Sequence, residues 1–431
     1  MRYVGRRRPK ILEGQKRLDQ FTRIHYDDRV IEDSLESIRE IESIIGENLP
    51  IVSRITNSTV GIKKEGQKIV GLGLSNWERS YLPDSISRIK YLKELVLSNN
   101  NLNTLPQSIG NLENLEYLKL TDSSISNFPD SFCSLISLKK LLIYRCENLE
   151  SLPNNFGNLT NLQEIKISNT SMIVLPDSLG ELNQLNKLRI SHNNLISLPR
   201  SFTDLVSLKN LYLSFTSLES LPESFGDLTR LTTLDLKNNR IRRLPHSIGN
   251  LRFLKDLDLR NNDLRYLPSS FGNLSELKDL NLKSNKIEIM PASIGNLNSL
   301  KELNLDRNIL KDLPRNIGNL KSIESIKLNY NELETIPESV GNLNSLKELK
   351  IYGNKLLNLP NTLTNIFKLI DLGISNNPFD EDERLKNLRT TEEIIKYLKR
   401  RRKEEFIKRS EERQKELFEG PEGILFDFKG L

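Results

Sequence analysis

Thirteen prolines recur along this chain at an almost constant interval, and this spacing constrains the fold more than any other feature. Successive members of the set are 23 residues apart, except for one interval of 24 residues between Pro129 and Pro153. A fixed period of this length is typical of a solenoid, in which each unit buries its apolar face only against its neighbours. The set comprises Pro83, Pro106, Pro129, Pro153, Pro176, Pro199, Pro222, Pro245, Pro268, Pro291, Pro314, Pro337 and Pro360.

Each period has the same internal order of leucines, asparagine and proline. Leu95 and Leu97 alternate with other residues, so both side chains point to one side of a short strand. Pro106 ends that strand region because proline has no N–H to donate. The S-I-G-N-L segment that follows places apolar residues three apart, which indicates a helical or 3-10 turn. The sequence therefore predicts an α/β solenoid.

An asparagine stands three residues after the second strand leucine in most units, and its side chain is expected to bond buried backbone groups where the chain turns. This predicted ladder consists of Asn100, Asn193, Asn239, Asn262, Asn285, Asn308, Asn331, Asn354 and Asn377. Four units carry Ser123, Cys146, Thr170 or Thr216 there instead, and one of them contains the one-residue insertion in Arg145–Leu149. Two interpretations of these substitutions stay open. They are either sequence variation that the fold tolerates, or the cause of a local change in curvature that shapes a binding site.

The repeat pattern resembles that of the leucine-rich repeat superfamily. Its form, L-x-x-L-x-L-x-x-N-x-L-x-x-L-P-x-S-I-G-N-L, is similar to that of Ras-scaffold proteins, the Scribble/Erbin group, plant intracellular Ras-group-related proteins and Roco GTPases, and it extends from about Val70 to Phe379. The resemblance implies a horseshoe with a parallel β-sheet on the concave face and short helical or 3-10 turns on the convex face. It also implies a scaffold for protein–protein interaction, in small-GTPase or other signalling.

Charge and periodicity divide the chain into five segments. Residues 1–24 hold eight Lys or Arg and two acids, 8 − 2 = +6, and are predicted to form a basic, disordered tail. Residues 25–69 are predicted as an N-terminal cap with a helix over 30–45 that starts at Asp33 or Ser34 and stops at Gly46. A hairpin around the K-K-E-G sequence completes that cap. The array of about 13–14 units covers 70–379, a cap with a helix after Thr390 covers 380–398, and a charged helix and tail cover 399–431.

Catalytic and metal-binding patterns are missing from the sequence. The histidines, His25, His192 and His246, are far apart and lack the spacing of metal ligands or of a catalytic base. Neither a P-loop nor an H-E-x-x-H motif occurs. Cys146 stands at a ladder position and is interpreted as a buried structural residue. The sequence therefore predicts a protein that is not an enzyme and has no cofactor.

The two cysteines, Cys133 and Cys146, lie inside the array and leave no disulfide-bearing caps at its ends. The sequence also lacks an apolar stretch long enough to cross a membrane and an apolar run behind its basic start. These features favour a reducing compartment, so we expect a cytoplasmic protein.

Residues that flank the buried strand leucines are expected to form columns on the concave face and to contact a partner. Exposed aromatic residues near Lys and Arg have the composition of an interaction hot spot. The predicted partner-binding residues are Tyr144, Arg145, Lys166, Arg189, Tyr212, Phe215, Asp235, Asp258 and Arg260.

The preferred hypothesis is a monomeric scaffold that binds a protein partner of unknown identity. The alternative hypothesis is a binder of nucleic acid or of an anionic surface that acts through the basic N- and C-terminal segments.

Overall fold

The computed structural model describes residues 11–77, 79–379 and 382–418, which form two compact units, up to residue 218 and from residue 219. The first unit contains helix α1 at Ile11–Ile45, followed by strands β1 Gly61–Glu65, β2 Lys68–Ser75, β3 Glu94–Ser98, β4 Tyr117–Thr121, β5 Lys140–Cys146, β6 Glu164–Thr170, β7 Lys187–Ser191 and β8 Asn210–Tyr212. The second unit contains strands β9 Thr233–Asp235, β10 Asp256–Asp258, β11 Asp279–Asn281, β12 Glu302–Asn304, β13 Ser325–Lys327, β14 Glu348–Lys350 and β15 Asp371–Gly373, followed by helix α2 at Thr391–Phe418.

Strands pair in the order in which they occur in the chain. In the first unit, β1 and β2 are antiparallel, and β2 to β8 form parallel pairs. In the second unit, β9 to β15 are parallel throughout. Register partners are equivalent positions of adjacent repeats, as in Leu95 with Leu118 and Leu257 with Leu280. The predicted solenoid with a parallel sheet is therefore confirmed.

A 3-10 turn lies between most successive strands and follows the proline of each repeat. Pro106, with φ of −66°, directly precedes the turn Gln107–Asn111, in which Ile109 is buried. Where a turn contains a glycine, the closeness of the next turn requires it. A Cβ on Gly110 would collide with the carbonyl oxygen of Ser131, and one on Gly249 would collide with that of Ser270. Stacked turns and stacked strands thus enclose the leucine core between them.

The predicted asparagine ladder is present, and all nine side chains are buried. Asn262 shows the bonding of the second unit: its Nδ2 donates to the carbonyls of Leu236 and Leu259, each at 3.0 Å. Its Oδ1 accepts the backbone N–H of Ile241 at 3.0 Å. From Asn262 to Asn377, each ladder asparagine bonds backbone groups of its own repeat and of the preceding one in this way.

Three of the four substituted ladder positions differ from the asparagines in their bonding. Thr170 bonds the Oδ1 of Asn193 through its hydroxyl, whereas the buried hydroxyl of Ser123 has no hydrogen-bond partner within the described ranges. Cys146 is fully buried, as predicted, with its Sγ 3.7 Å from the carbonyl of Tyr144. Burial raises the pKa of Cys146 to about 11 and that of Cys133 to about 11, so both thiols stay protonated at neutral pH.

Helix α1 caps the first repeat but differs from its predicted bounds. It begins at Ile11, so residues 11–24, expected to be part of a disordered tail, are helical; that stretch is rich in strong helix formers. Residues 1–10 lie outside the described residues. The helix runs through Ser34, which was one predicted start. The hydroxyls of Ser34 and Ser37 instead donate to the carbonyls of Arg88 at 3.1 Å and Ser85 at 2.8 Å. The stop at Gly46 is as predicted, with φ of +82°.

The predicted hairpin is present, with its turn shifted towards the C-terminus. The K-K-E residues belong to β1, and the chain turns at Gly66, whose φ of +63° suits glycine. As expected, β2 is the first strand of the parallel sheet, through Leu72 and Leu74.

Helix α2 caps the last repeat from the predicted position. The hydroxyl of Thr390 accepts the N–H of Glu393 at 3.2 Å, and the Glu393 carboxylate accepts the N–H of Thr390 at 3.0 Å, which is a capping box. Ile394 and Leu398 are fully buried. Arg401 bonds the carbonyl of Leu359 and pairs with Asp382 at 2.8 Å. Beyond residue 402 the described side chains of the helix are exposed.

Candidate functional site

The strand face of the first unit carries two rows of side chains from β4 to β8. Residues of a row are register partners in adjacent strands, about 4.8 Å apart, so their side chains are neighbours. The first row is Lys119, Leu142, Lys166, Arg189 and Tyr212, and the second is Thr121, Tyr144, Ser168 and Ser191.

Tyr144 and Tyr212 are half-buried, each beneath a cation. The Nζ of Lys119 lies 5.2 Å from the centre of the Tyr144 ring, and the Cζ of Arg189 lies 4.3 Å from that of Tyr212. Neither cation forms an ion pair with another residue of the described ranges. The expectation that both tyrosines are exposed is therefore wrong, because cations of the neighbouring strand cover the rings.

Phe215 is the exposed aromatic residue of this face, with 41% of its surface accessible. Its ring stacks on His192 with centres 4.4 Å apart and planes 10° apart. Both residues have left-handed backbone conformations, with φ of 56° for Phe215 and 55° for His192. A bulky side chain in this conformation is strained, and such strain is concentrated at functional sites.

Acidic groups on this face are already paired. The guanidinium of Arg145 binds Asp122, with Nη2 2.7 Å from Oδ2, and this bond holds the pKa of Asp122 below its usual range. Glu164 lies 2.8 Å from Lys166 and 3.4 Å from Lys187. Partial burial acts to raise the pKa of Glu164, but the lysines outweigh it and the pKa is lowered.

Positive charge is therefore in excess at the centre of this face. Burial lowers the pKa of Lys119, and the nearby charges of Arg145 and Lys166 lower it further. Burial is the larger of these two causes, and the neighbouring cations contribute the rest of the shift. The face combines unpaired cations, stacked aromatic rings and one exposed phenyl group, a set that suits an acidic partner with an apolar side chain.

The other three predicted contact residues, Asp235, Asp258 and Arg260, belong to the second unit. Asp235 is only 8% exposed, and its carboxylate accepts the backbone N–H of Lys237 at 3.1 Å and pairs with its Nζ at 3.0 Å. Asp258 accepts the N–H of Arg260 at 3.1 Å and pairs with its Nε at 3.1 Å. Burial raises the pKa of Asp258. Both acids therefore bond the local turn, and their hydrogen-bonding capacity is largely used within the repeat.

Sequence reasoning missed the left-handed residue that precedes the ladder position in every repeat from β2 onward. These residues are Asn76, Asn99, Asp122, Arg145, Asn169, His192, Phe215, Asn238, Asn261, Ser284, Arg307, Tyr330, Gly353 and Asn376. The signal was available, because asparagine and glycine tolerate this conformation best and recur here. Against that background, the large residues of the row stand out as candidates for function.

Among the described residues, no group of three or more His, Cys, Asp or Glu side chains is arranged to hold a metal ion. No helix in the described ranges has the length and apolar content needed to cross a bilayer.

Comparisons with known families give matches over most of the repeat array. The family described as "Leucine-rich repeat region" matches residues 69–195 and 231–312. "Leucine rich repeat" matches 300–356, and "Leucine Rich repeats (2 copies)" matches 206–249. A search of curated proteins found no significant match.

Solved structures with the same fold come from bacteria and plants. A leucine-rich repeat protein of Leptospira interrogans is 30% identical, with a TM-score of 0.62 over 71% of this chain and 84% of that one. The plant peptide hormone receptor RGFR1, solved in complex with RGF2, is 28% identical, with a TM-score of 0.58. The match covers 72% of this chain and 55% of the receptor chain, so this chain spans about half the length of the receptor. An internalin of Listeria monocytogenes, at 22% identity and a TM-score of 0.56 over 71% of this chain and 87% of that one, shares the fold alone.

Proposed function

Because this chain belongs to the leucine-rich repeat family, we propose that it is a non-enzymatic scaffold that binds a protein partner on the strand face of its first unit. The observation that carries the proposal is the group formed by Tyr144, Arg189, Tyr212 and the exposed Phe215. Large aromatic residues and arginine contribute most to binding at protein interfaces.

The partner of this face is an acidic protein surface. Lys119 and Arg189 are held over tyrosine rings without carboxylate partners among the described residues, so a carboxylate of the partner would complete their bonding. Stacking on the rings keeps both cations oriented before binding, which lowers the entropy lost on association. Phe215 supplies the apolar contact.

The structural relatives support a macromolecular partner. The plant receptor is in complex with RGF2, and the architecture it shares with this chain presents long rows of strand residues. We further propose that the chain is a cytoplasmic monomer that acts in small-GTPase or other signalling. That assignment rests on the repeat resemblance and on the two buried, unpaired thiols.

The alternative, anion binding through a basic run in the C-terminal segment, Lys399–Lys403, is less well supported by the geometry. Arg401 is 18% exposed and pairs with Asp382, and Arg402 donates to Thr364 and Asn365. Arg400 pairs with Glu404 at 2.8 Å. Three cations of the run are thus engaged in the cap or within the helix. The basic residues of 1–10 lie outside the described residues.

A site-specific cross-link tests the proposal. Phe215 is replaced by benzoylphenylalanine in the full chain, and Phe253, which is 61% exposed and follows a 3-10 turn, is replaced in the same way as the control. We expect light-dependent cross-linking to one acidic protein from position 215 only. Tyr212→Ala should lower the yield at least about tenfold, a loss of roughly 1.4 kcal/mol.

Equal cross-linking from both positions would contradict the strand-face site. Cross-linking that persists in Tyr212→Ala but disappears when the chain ends after Glu405 would assign binding to the C-terminal segment. That truncation keeps the Arg401 and Arg402 contacts of the cap intact.

A further inference from the structure

The left-handed row of the second unit contains two residues that do not suit this conformation. Its other members are small or tolerant of positive φ: Asn238, Asn261, Ser284, Gly353 and Asn376. Arg307 and Tyr330 have φ of 57° and 56° although both side chains are large. Strained residues of this kind persist where a function requires the side chain.

The two residues form one stacked arrangement with Tyr352. The Cζ of Arg307 lies 5.1 Å from the centre of the Tyr330 ring, and the Tyr330 and Tyr352 rings meet edge to face at 4.9 Å and 83°. Tyr330 lies against the backbone of Gly353, because a Cβ at that glycine would be 2.8 Å from Cδ1 of Tyr330. Any other residue at position 353 would displace the ring. Guanidinium and rings are therefore held in place before any partner arrives.

Nothing within the described ranges covers this arrangement or neutralises Arg307. Tyr330 is 47% exposed, and Arg307 is exposed and forms no ion pair with a described residue. The neighbouring lysines differ: Lys327 lies 3.6 Å from Glu348, and Lys350 pairs with Asp371. Arg307 is thus the cation of this surface whose guanidinium is available for a carboxylate.

From this geometry we infer that Arg307, Tyr330 and Tyr352 form a second binding surface, which takes an acidic segment of a protein. A carboxylate of the segment binds the guanidinium of Arg307 through two parallel hydrogen bonds. An apolar side chain next to that carboxylate packs on the exposed Tyr330 ring. The surface uses none of the first-unit residues and so goes beyond the function proposed above.

The test uses the full chain and a displayed library of random short peptides. We expect selected peptides to contain Asp or Glu next to an apolar residue. Synthetic copies are then titrated by fluorescence anisotropy against three variants. Arg307→Asn and Tyr330→Asn should each weaken binding at least about tenfold. Tyr266→Asn should leave it unchanged; Tyr266 is 55% exposed and lies outside the strands.

Stability separates this role from a structural one. Asparagine occupies the same position in other repeats with positive φ, so Tyr330→Asn should keep or raise the urea midpoint of unfolding while binding is lost. A lower midpoint would assign Tyr330 to the fold and overturn the inference. A library without an acidic consensus would overturn it too, as would peptides insensitive to Arg307→Asn and Tyr330→Asn.

Discussion

From Asn262 to Asn377, a single asparagine in each repeat joins two repeats through hydrogen bonds to backbone groups. Asn262 is buried and bonds Leu236, Leu259 and Ile241, with no side chain among these partners. Its amide could not be replaced by an apolar residue without leaving two carbonyls and one N–H of the interior less well bonded. The amide therefore holds adjacent repeats together by hydrogen bonds, as the leucines do by apolar packing.

We predict that Asn262→Ala lowers the free energy of unfolding by about 1–3 kcal/mol, because buried backbone groups lose their partner. Urea unfolding followed by circular dichroism measures this change. The control is Asn273→Ala, an exposed asparagine of the 3-10 turn in the same repeat, and it should change stability little. Equal losses in both variants would show that the ladder does not carry the stabilisation.

The sequence was sufficient to predict which residues of a repeat are buried but not which backbone conformation each adopts. The core positions require leucine or a similar apolar residue, because they are buried. The proline positions require a residue without an N–H donor, and the ladder positions require a side chain that can make a fixed set of hydrogen bonds. The left-handed position accepts many types, from Asn238 to Phe215, because its side chain points outward. For the same reason, the local bonding of Asp235 and Asp258 could not be separated from a surface role.

At the scale of elements, equivalent charged residues of neighbouring strands lie side by side. Asp256, Asp279 and Glu302 are register partners at the start of β10, β11 and β12. Burial raises the pKa of Asp279 to about 6, and a hydrogen bond from Asp256 and the charge of Glu302 act in the same direction. Repulsion within this row of like charges lowers the stability of the fold, and it arises because the parallel strands pair in register.

The sign of the pH effect follows from the raised pKa. Because folded Asp279 binds its proton more tightly than the unfolded chain does, its contribution to stability is present below about pH 4 and is lost as pH rises through about 6. We predict that Asp279→Asn raises the melting temperature at pH 8 and has little effect at pH 4. Asp312→Asn, which removes an exposed carboxylate of the same unit, corrects for net charge. A gain for Asp279→Asn that is equal at both pH values would contradict the shift.

The capping box of α2 is a second element whose contribution is measurable. We predict that Thr390→Ala costs about 1 kcal/mol, because the first turn of the helix loses an acceptor for the Glu393 N–H. Hydrogen exchange should increase over residues 391–402, where Ile394 and Leu398 pack on the last repeat. Ser410→Ala, on the exposed part of the same helix, should not increase it. Unchanged exchange in Thr390→Ala would mean that side-chain packing alone holds the helix.

At the scale of the whole molecule, charge is paired from repeat to repeat. Lys139 pairs with Glu116, Lys286 with Asp263 and Lys355 with Glu332, each across one period. Surface pairs of this kind contribute little stability individually. Lys119, Arg189 and Arg307 form no such pair with a described residue, and each of them lies over a tyrosine ring instead. Both proposed binding surfaces rest on them.

The ladder hydrogen bonds join residues at constant separations in the sequence, and this affects how the number of repeats can change in evolution. From Asn262 to Asn377, each amide meets the carbonyl 26 residues and the N–H 21 residues before it. Loss or duplication of one whole 23-residue stretch recreates the same bonds at the junction. Unequal recombination between the coding repeats would therefore alter repeat number without a new bonding pattern. A repeat lost between Asn354 and Asn377 would bring Tyr330 one strand spacing, about 4.8 Å, nearer to helix α2.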